Sequence, residues 1–452
     1  MNIVYIGTDT WRPDFIGCYG NDWVQTPNID RLAGESVTFT NAYADGLPTL
    51  PMRRAVFTGR SVLPFGKNPS QGKRFPWRSS GAMPGWEHLW ATDVTFAETL
   101  KFTDYKTCLV ADNYHLFKPD MNYHFEFNSW NWIRGQECDD WQTGPPEAFD
   151  VERVLPPHLR SDRALFTVGQ YCLNTQDIKH EEDYFCAQTI RSGIQWLERN
   201  AGHHPFVLWL ELFDPHEPWD APERFNEMYG AKHPDCDHFL FAYGVPIDKM
   251  SAEEIDLLKL FYAAEITFLD MWIGRLLSFL EDMDLLKDTI VVFTSDHGVH
   301  LGEEGCIHKR QNFLASNVTQ IPLMIRHPDV ERFGGTKVDA LVSVPDIAPT
   351  LLDFIEIEKP ETMTGENMWP LATGEEDKLH EFVVSGWYDY AMIRTLDWHY
   401  FRNLTPGKDE HPCPCLYDLN NDRAETTNVI AKHPEVVSEL NEKLGERFGV
   451  EL

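Results

Sequence analysis

Thr289-Ile290-Val291-Val292-Phe293-Thr294-Ser295-Asp296-His297-Gly298 reads as one β-strand with a polar end. The strand, Thr289–Thr294, has no polar face over Ile290–Phe293. It therefore needs cover on both sides, as in a parallel sheet lying between helix layers. In such sheets ligands bind at the carboxyl ends of the strands, and here that end carries Asp296 and His297. An adjacent carboxylate and imidazole can reach one cation, and Gly298 permits the tight turn that aims them. The alternative is an Asp–His pair that caps the next segment.

The same pattern recurs elsewhere. Ile3–Thr8 is a strand that ends in Asp9-Thr10-Trp11-Arg12-Pro13-Asp14, so Asp9 stands as a second oxygen ligand or as a loop cap. Two such ends point to a mixed oxygen and nitrogen site for Mn²⁺, Zn²⁺, Mg²⁺ or Ca²⁺. Phe206–Phe213, Thr107–Ala111 and Pro322–Arg326 are further strands. Leu258, Phe261, Ala264, Phe268, Trp272, Leu276 and Phe279 recur at spacings of three and four, which predicts one long helix from Ala252 to about Met283 that packs on the sheet. The alternation predicts an α/β fold with a large, mostly parallel central sheet sandwiched by helices. Composition shifts near Thr373–Asp377. Beyond it lie the short strand-like pieces Phe382–Ser385, Ala391–Thr395, His399–Arg402 and Leu416–Asp418, then a helix from about Pro434. The division expected is a large α/β domain, 1–375, and a small C-terminal α+β subdomain, 376–452, with a short antiparallel sheet and a terminal helix. Leu63–Trp90 and Asp112–Arg160 lack periodicity, and loops of that length often serve as lids or binding loops.

Hydrophobic residues make up 42% of the 452, charged residues 24%, which is ordinary globular composition. The 39 basic and 71 acidic residues leave a net charge of −32. That argues against nucleic acid or an anionic membrane as partner, since both require a basic patch. A small anion remains open, because a bound cation reverses the sign locally. No apolar run is long enough for a membrane span, and Met1–Gly7 lacks the features of a signal peptide. Nine cysteines, an odd number without zinc-type spacing, read as reduced thiols of a cytoplasmic protein.

Leu47-Pro48-Thr49-Leu50-Pro51-Met52-Arg53 introduces a third kind of residue. Pro51 suits the first position of a helix. Thr49 would then sit just before a helix N-terminus, where backbone N–H groups favour an anion, or act as a plain N-cap. Arg53 lies about one turn further on.

In this order the segments resemble the sulfatase branch of the alkaline phosphatase superfamily, over nearly the whole chain. The resemblance rests on Asp9–Asp14 with Gly17-Cys18-Tyr19-Gly20, and on Gln25-Thr26-Pro27-Asn28-Ile29-Asp30-Arg31-Leu32. It continues in Thr49-x-Pro51-x-Arg53 with Thr58-Gly59-Arg60, in Asp214-Pro215-His216-Glu217-Pro218, and in Ser295–Gly298 with Leu301-Gly302-Glu303 and Lys309. Asp346–Asp353 and Leu416-Tyr417-Asp418-Leu419 complete it. It implies that Asp9, Asp296 and His297 hold one divalent metal ion, with Thr49 as nucleophile and further ligand. Thr10 falls where many relatives have another ligand. Arg53 would orient the nucleophile, and His216 and Lys309 would bind the anion, one of them protonating the leaving group. The family's Lys-x-His appears as Asn113-Tyr114-His115, so Asn113 and His115 join the substrate-binding set; His308, an extra imidazole next to Lys309, is either a further pocket residue of that set or a surface-loop residue. Trp132 and Arg134, in Trp130-Asn131-Trp132-Ile133-Arg134-Gly135, could stack on a sugar or aryl group, or simply pack their loop. Trp86, Trp90 and Trp141 are weaker versions of that idea. Lys67, Arg74 and Arg78 could meet a remote anionic part of the substrate, or be solvated.

True sulfatases of this branch carry Cys or Ser at the position of Thr49, oxidised to formylglycine. Threonine is a secondary alcohol, and its oxidation would stop at a poorly hydrated ketone. No formylglycine is expected; Thr49 should act as an unmodified hydroxyl, forming a phospho-threonine that water then cleaves. One divalent cation suits a singly charged reacting group, whereas phosphate monoesters favour a two-metal clamp. The expected activity is phosphodiester or phosphonate monoester hydrolysis on a small anionic ester. The alternatives are a sulfatase acting on sulfate esters or sulfamates, a transferase, and a catalytically silent binding protein. A homo-oligomer is left open.

Overall fold

A computed structural model describes residues 1–65, 83–144, 151–202, 205–236 and 238–452. In chain order the strands are β1 (Asn2–Thr8), β2 (Val37–Tyr43), β3 (Lys106–Ala111), β4 (Ser129–Trp132), β5 (Phe206–Glu211), β6 (Thr289–Ser295), β7 (His300–Leu301), β8 (Ile307–His308), β9 (Gln320–Arg326) and β10 (Thr336–Ser343). Eight of them form one sheet in the order β10-β2-β9-β6-β1-β5-β3-β4, and β7 and β8 form a small ribbon. β1 runs parallel to both β5 and β6, so the predicted mostly parallel sheet is present. Only β9 is antiparallel to its neighbours, β2 and β6.

Both faces of the sheet are covered. On one, Ile3, Tyr5, Trp209 and Val292 pack with Leu50, Val56 and Phe57 of the Thr49–Thr58 helix. On the other, Val4, Ile6, Leu208 and Phe293 pack with Leu258, Phe268, Trp272 and Leu276 of the helix Ala252–Asp282. Each fully buried side chain of this kind contributes about 2 kcal/mol, so the stripe on that helix holds it to the sheet. Lys67, Arg74 and Arg78 lie outside the described residues.

Three sheet strands were not anticipated. In β2 the register shifts between Phe39 and Ala42, and that irregularity breaks the alternation a strand normally shows. β10 is an edge strand, with Lys337 and Asp339 exposed. β4 is a four-residue edge strand inside the aperiodic Asp112–Arg160 stretch, where pairing with β3 rather than local pattern defines it.

The C-terminal strands β11 (Val383–Trp387), β12 (Tyr390–Arg394), β13 (Trp398–Asn403) and β14 (Cys415–Asp418) form an antiparallel meander. Leu440 and Leu444 of the helix Pro434–Phe448 close its core against Ile393, Tyr400 and Leu416. This unit is stitched to the loop that precedes Thr49. Leu47 N donates to the Gly386 carbonyl at 2.8 Å, Gly386 N to the Asp45 carbonyl at 3.0 Å, and Ser385 Oγ to the Ala44 carbonyl. All nine cysteines are free thiols. Among the described residues no helix is long and apolar enough to cross a membrane.

Candidate active site

The pairing of β1 with β6 sets Thr8 opposite Ser295, so Asp9 and Asp296 leave the sheet side by side. One ligand atom from each of Asp9, Asp296 and His297 lies within 4.8 Å of the others, and all three residues are buried. Asp296 Oδ1 accepts the backbone N–H of Thr10 at 2.9 Å and of His297 at 2.7 Å. His297 Nδ1 donates to the Gly298 carbonyl at 2.9 Å, which turns the Nε2 lone pair toward the carboxylates. His297 Nε2, Asp9 Oδ1 and Thr10 Oγ1 are buried without a hydrogen-bond partner. Burial lowers His297 to about 4, so its imidazole is neutral. Burial, then the charge of Asp296, raises Asp9 well above the carboxylate range. Burial opposes ionisation of Asp296 too, but the neighbouring His297 and Arg53 hold it at about 2. Unpaired oxygen and imidazole donors of this kind fit a divalent cation.

Gly298 is needed for a different reason than the expected turn. A Cβ there would sit 2.0 Å from the Asn317 carbonyl oxygen, so close approach of backbone excludes any side chain. The left-handed residue is Thr10, at φ +63°, an outlier for a β-branched side chain.

The helix that carries Arg53 begins at Thr49 itself, with Pro48 as N-cap. Pro51 is thus its third residue, not its first; it is tolerated because first-turn N–H groups have no acceptor within the helix. Thr49 is buried. One turn on, Arg53 places Nη1 2.5 Å from Asp296 Oδ2 and 3.1 Å from Asp9 Oδ2, and Nε 2.8 Å from Glu211 Oε2. Nη1 also lies 3.4 Å from the Thr49 carbonyl oxygen. The structure therefore joins the nucleophile candidate to the cation candidate through Arg53. Glu211 had no predicted role; a carboxylate inside an otherwise apolar strand was the available signal.

A second group forms after β5. Lys309 Nζ lies 2.9 Å from His216 Nε2, and the Lys309 side chain is 3% exposed. His216 Nδ1 donates to the Glu217 carbonyl at 2.6 Å. Burial lowers His216 to about 3, while the charge of Glu217 raises Lys309 against the effect of burial. His308 Nδ1 lies 2.9 Å from Glu217 Oε1. Glu217 is the second residue without a predicted role, although it stands next to His216 in the quoted motif. Asn113 Nδ2 donates to Asp9 Oδ2 at 3.3 Å. His115 packs edge-on against Trp86, 5.0 Å away, and burial holds it neutral.

Trp132 and Arg134 pair with each other, the guanidinium 4.1 Å above the indole. Arg134 is tied into its own loop by both oxygens of Asp139, at 2.7 and 2.8 Å. Among the described residues neither side chain makes a hydrogen bond or ion pair with the Asp9–Arg53 group. Trp90 and Trp141 are exposed.

The Sulfatase family model matches residues 1–357, and the N-sulphoglucosamine sulphohydrolase C-terminal model matches residues 302–448. The uncharacterized sulfatase YidJ of Escherichia coli is 27% identical, over 98% of this chain and 86% of that protein. The N-acetylglucosamine-6-O-sulfatase of Bacteroides thetaiotaomicron is 24% identical, over 95% and 83%. The phosphonate monoester hydrolase of Agrobacterium radiobacter shares the fold with a TM-score of 0.75 and 20% identity, over 100% and 96% of the two chains. The chain belongs to the sulfatase family and is an ester hydrolase of the alkaline phosphatase superfamily.

Proposed function

We propose that this enzyme hydrolyses phosphodiesters or phosphonate monoesters, with the unmodified hydroxyl of Thr49 as nucleophile. The observation that carries the reading is Thr49 at the first position of its helix, one turn before an arginine shared by Asp9 and Asp296. A threonine there cannot supply the aldehyde hydrate by which formylglycine expels sulfate. Its hydroxyl can attack phosphorus in line, and water can cleave the resulting threonine ester in a second in-line step.

Asp9, Asp296 and His297 would hold a divalent cation, with the hydroxyls of Thr49 and Thr10 as further oxygens. Bound there, the cation would supply Lewis-acid charge that makes the Thr49 hydroxyl a better nucleophile. Arg53 fixes the two carboxylates and the first helical turn. Lys309 and His216 bind the anion and serve the leaving group.

Charge supports a singly charged substrate. Asp9, Asp296 and Glu211 face a single guanidinium, Arg53. With all three carboxylates ionised, Asp9 and Asp296 as ligands of a cation, the excess is two negative charges, which one divalent ion would cancel. Glu217 likewise offsets Lys309. A phosphate diester, a phosphonate monoester and a sulfate ester each bring one charge to this neutral site, a phosphate monoester nearly two.

The test is turnover of matched aryl esters of all four kinds with Mn²⁺, Zn²⁺, Mg²⁺ or Ca²⁺ supplied. Diester or phosphonate cleavage should be fast and sulfate cleavage slow; faster sulfate cleavage would overturn the reading. The second reading, a sulfatase acting on sulfate esters or sulfamates, is favoured by the names of the two curated relatives.

A further inference from the structure

We propose that Glu217 and His308 are a positioning pair that holds Lys309 and His216 in place for proton transfer to the departing oxygen of the ester. Glu217 is fully buried and touches every other member of this group. Its Oε1 lies 2.9 Å from His308 Nδ1 and 3.5 Å from Lys309 Nζ. Its Oε2 lies 3.6 Å from His216 Nδ1. Its backbone carbonyl accepts the His216 Nδ1–H at 2.6 Å, which fixes the tautomer and leaves Nε2 as a lone pair facing Lys309 Nζ at 2.9 Å.

His308 is held as firmly. Its ring is sandwiched between Phe241, at 4.6 Å and 18°, and Tyr243, at 4.4 Å and 10°. Its backbone is left-handed, at φ +64°, which is costly for an L-residue and persists only where the surroundings impose it. Tyr243 also faces Lys309, whose Nζ lies 5.0 Å from the ring centre. A carboxylate buried this deeply is costly to keep unless its partners need it. Here those partners are an ammonium and an imidazole already placed at the anion end of the site.

In the step concerned, the bond from phosphorus or sulfur to the departing oxygen breaks with its electron pair on that oxygen. The Lys309 ammonium gives the oxygen a proton. The nucleophile's hydroxyl releases one proton as its new ester bond forms, and that proton restores the ammonium. Glu217 and His308 act through Lys309 and His216, by keeping the ammonium aimed.

The proposal rests on ester hydrolysis at this site and not on phosphorus over sulfur. The experiment therefore uses whichever aryl ester series turns over fastest, and a preference for sulfate would sink the phosphorus reading without touching this one. Glu217→Gln is compared with the parent across leaving groups of graded basicity, with bound metal measured in parallel. For poor leaving groups kcat/KM should fall about 100-fold; for activated ones it should fall less than about threefold, with metal content unchanged. Equal loss across the series would overturn the proposal. If Glu217→Gln does not fold, His308→Gln carries the test, with the same steeper dependence on leaving group expected and a uniform loss overturning it.

Discussion

In the proposed reaction the chemistry turns on Thr49. Thr49→Ala keeps the helix start, since alanine is the best helix former, and leaves Asp9, Asp296 and His297 in place. Turnover should fall by at least about a thousandfold with metal content retained; near-normal rates would remove Thr49 from the mechanism. The residues legible from sequence were those that interrupt a clear pattern: Asp9, Asp296 and His297 close apolar runs, and Arg53 follows Thr49 by one helical turn. Glu211 and Glu217 were legible as residues but not as partners. Which cation a buried carboxylate meets depends on strands that the chain joins only after long excursions; Arg53 and Glu211 are 158 positions apart. Arg134 shows the converse. It stands in a promising loop, yet its nearest carboxylate, Asp139, is five residues away and takes it.

At the scale of elements, long apolar strands and the Ala252–Asp282 helix were legible because burial on two faces or on one stripe marks the sequence itself. β2, β4 and β10 were not, because a bulge, brevity or edge position leaves no such mark. The β7–β8 ribbon that presents His308 depends on buried histidine. His300 Nε2 lies 3.0 Å from the Phe313 carbonyl, Nδ1 lies 3.0 Å from Asn317, and the ring stacks on Phe313. Burial lowers it from 6.5 to about 3. As pH falls below about 6.5 the unfolded chain binds a proton here that the folded chain does not. This site therefore costs stability from about pH 6.5 down to about 3, and nothing above. The slope approaches about 1.4 kcal/mol per pH unit. The stability advantage of the parent over His300→Asn, from urea unfolding, should shrink by about 2 kcal/mol between pH 7 and pH 5. An advantage that stays constant would contradict the assignment.

For the whole molecule, a net charge of −32 surrounds a site that, in the proposed reaction, is neutral with one divalent ion bound. An anionic ester approaches against that field, and salt screens it. For a singly charged aryl ester kcat/KM should therefore rise severalfold between low and physiological ionic strength, while a fall would point to a basic entrance. The C-terminal meander belongs to the same machine, since Gly386 bonds both Asp45 and Leu47 just ahead of Thr49. Nothing local in the sequence announces where that unit docks. The proposed reaction requires a covalent ester between Thr49 and phosphorus. The most direct measurement is the stereochemical course at phosphorus, using an aryl phosphorothioate diester of one hand in heavy-oxygen water. Two in-line displacements, the first by Thr49 and the second by water, predict net retention. Inversion would mean that water attacks the substrate directly, with no threonine ester on the path.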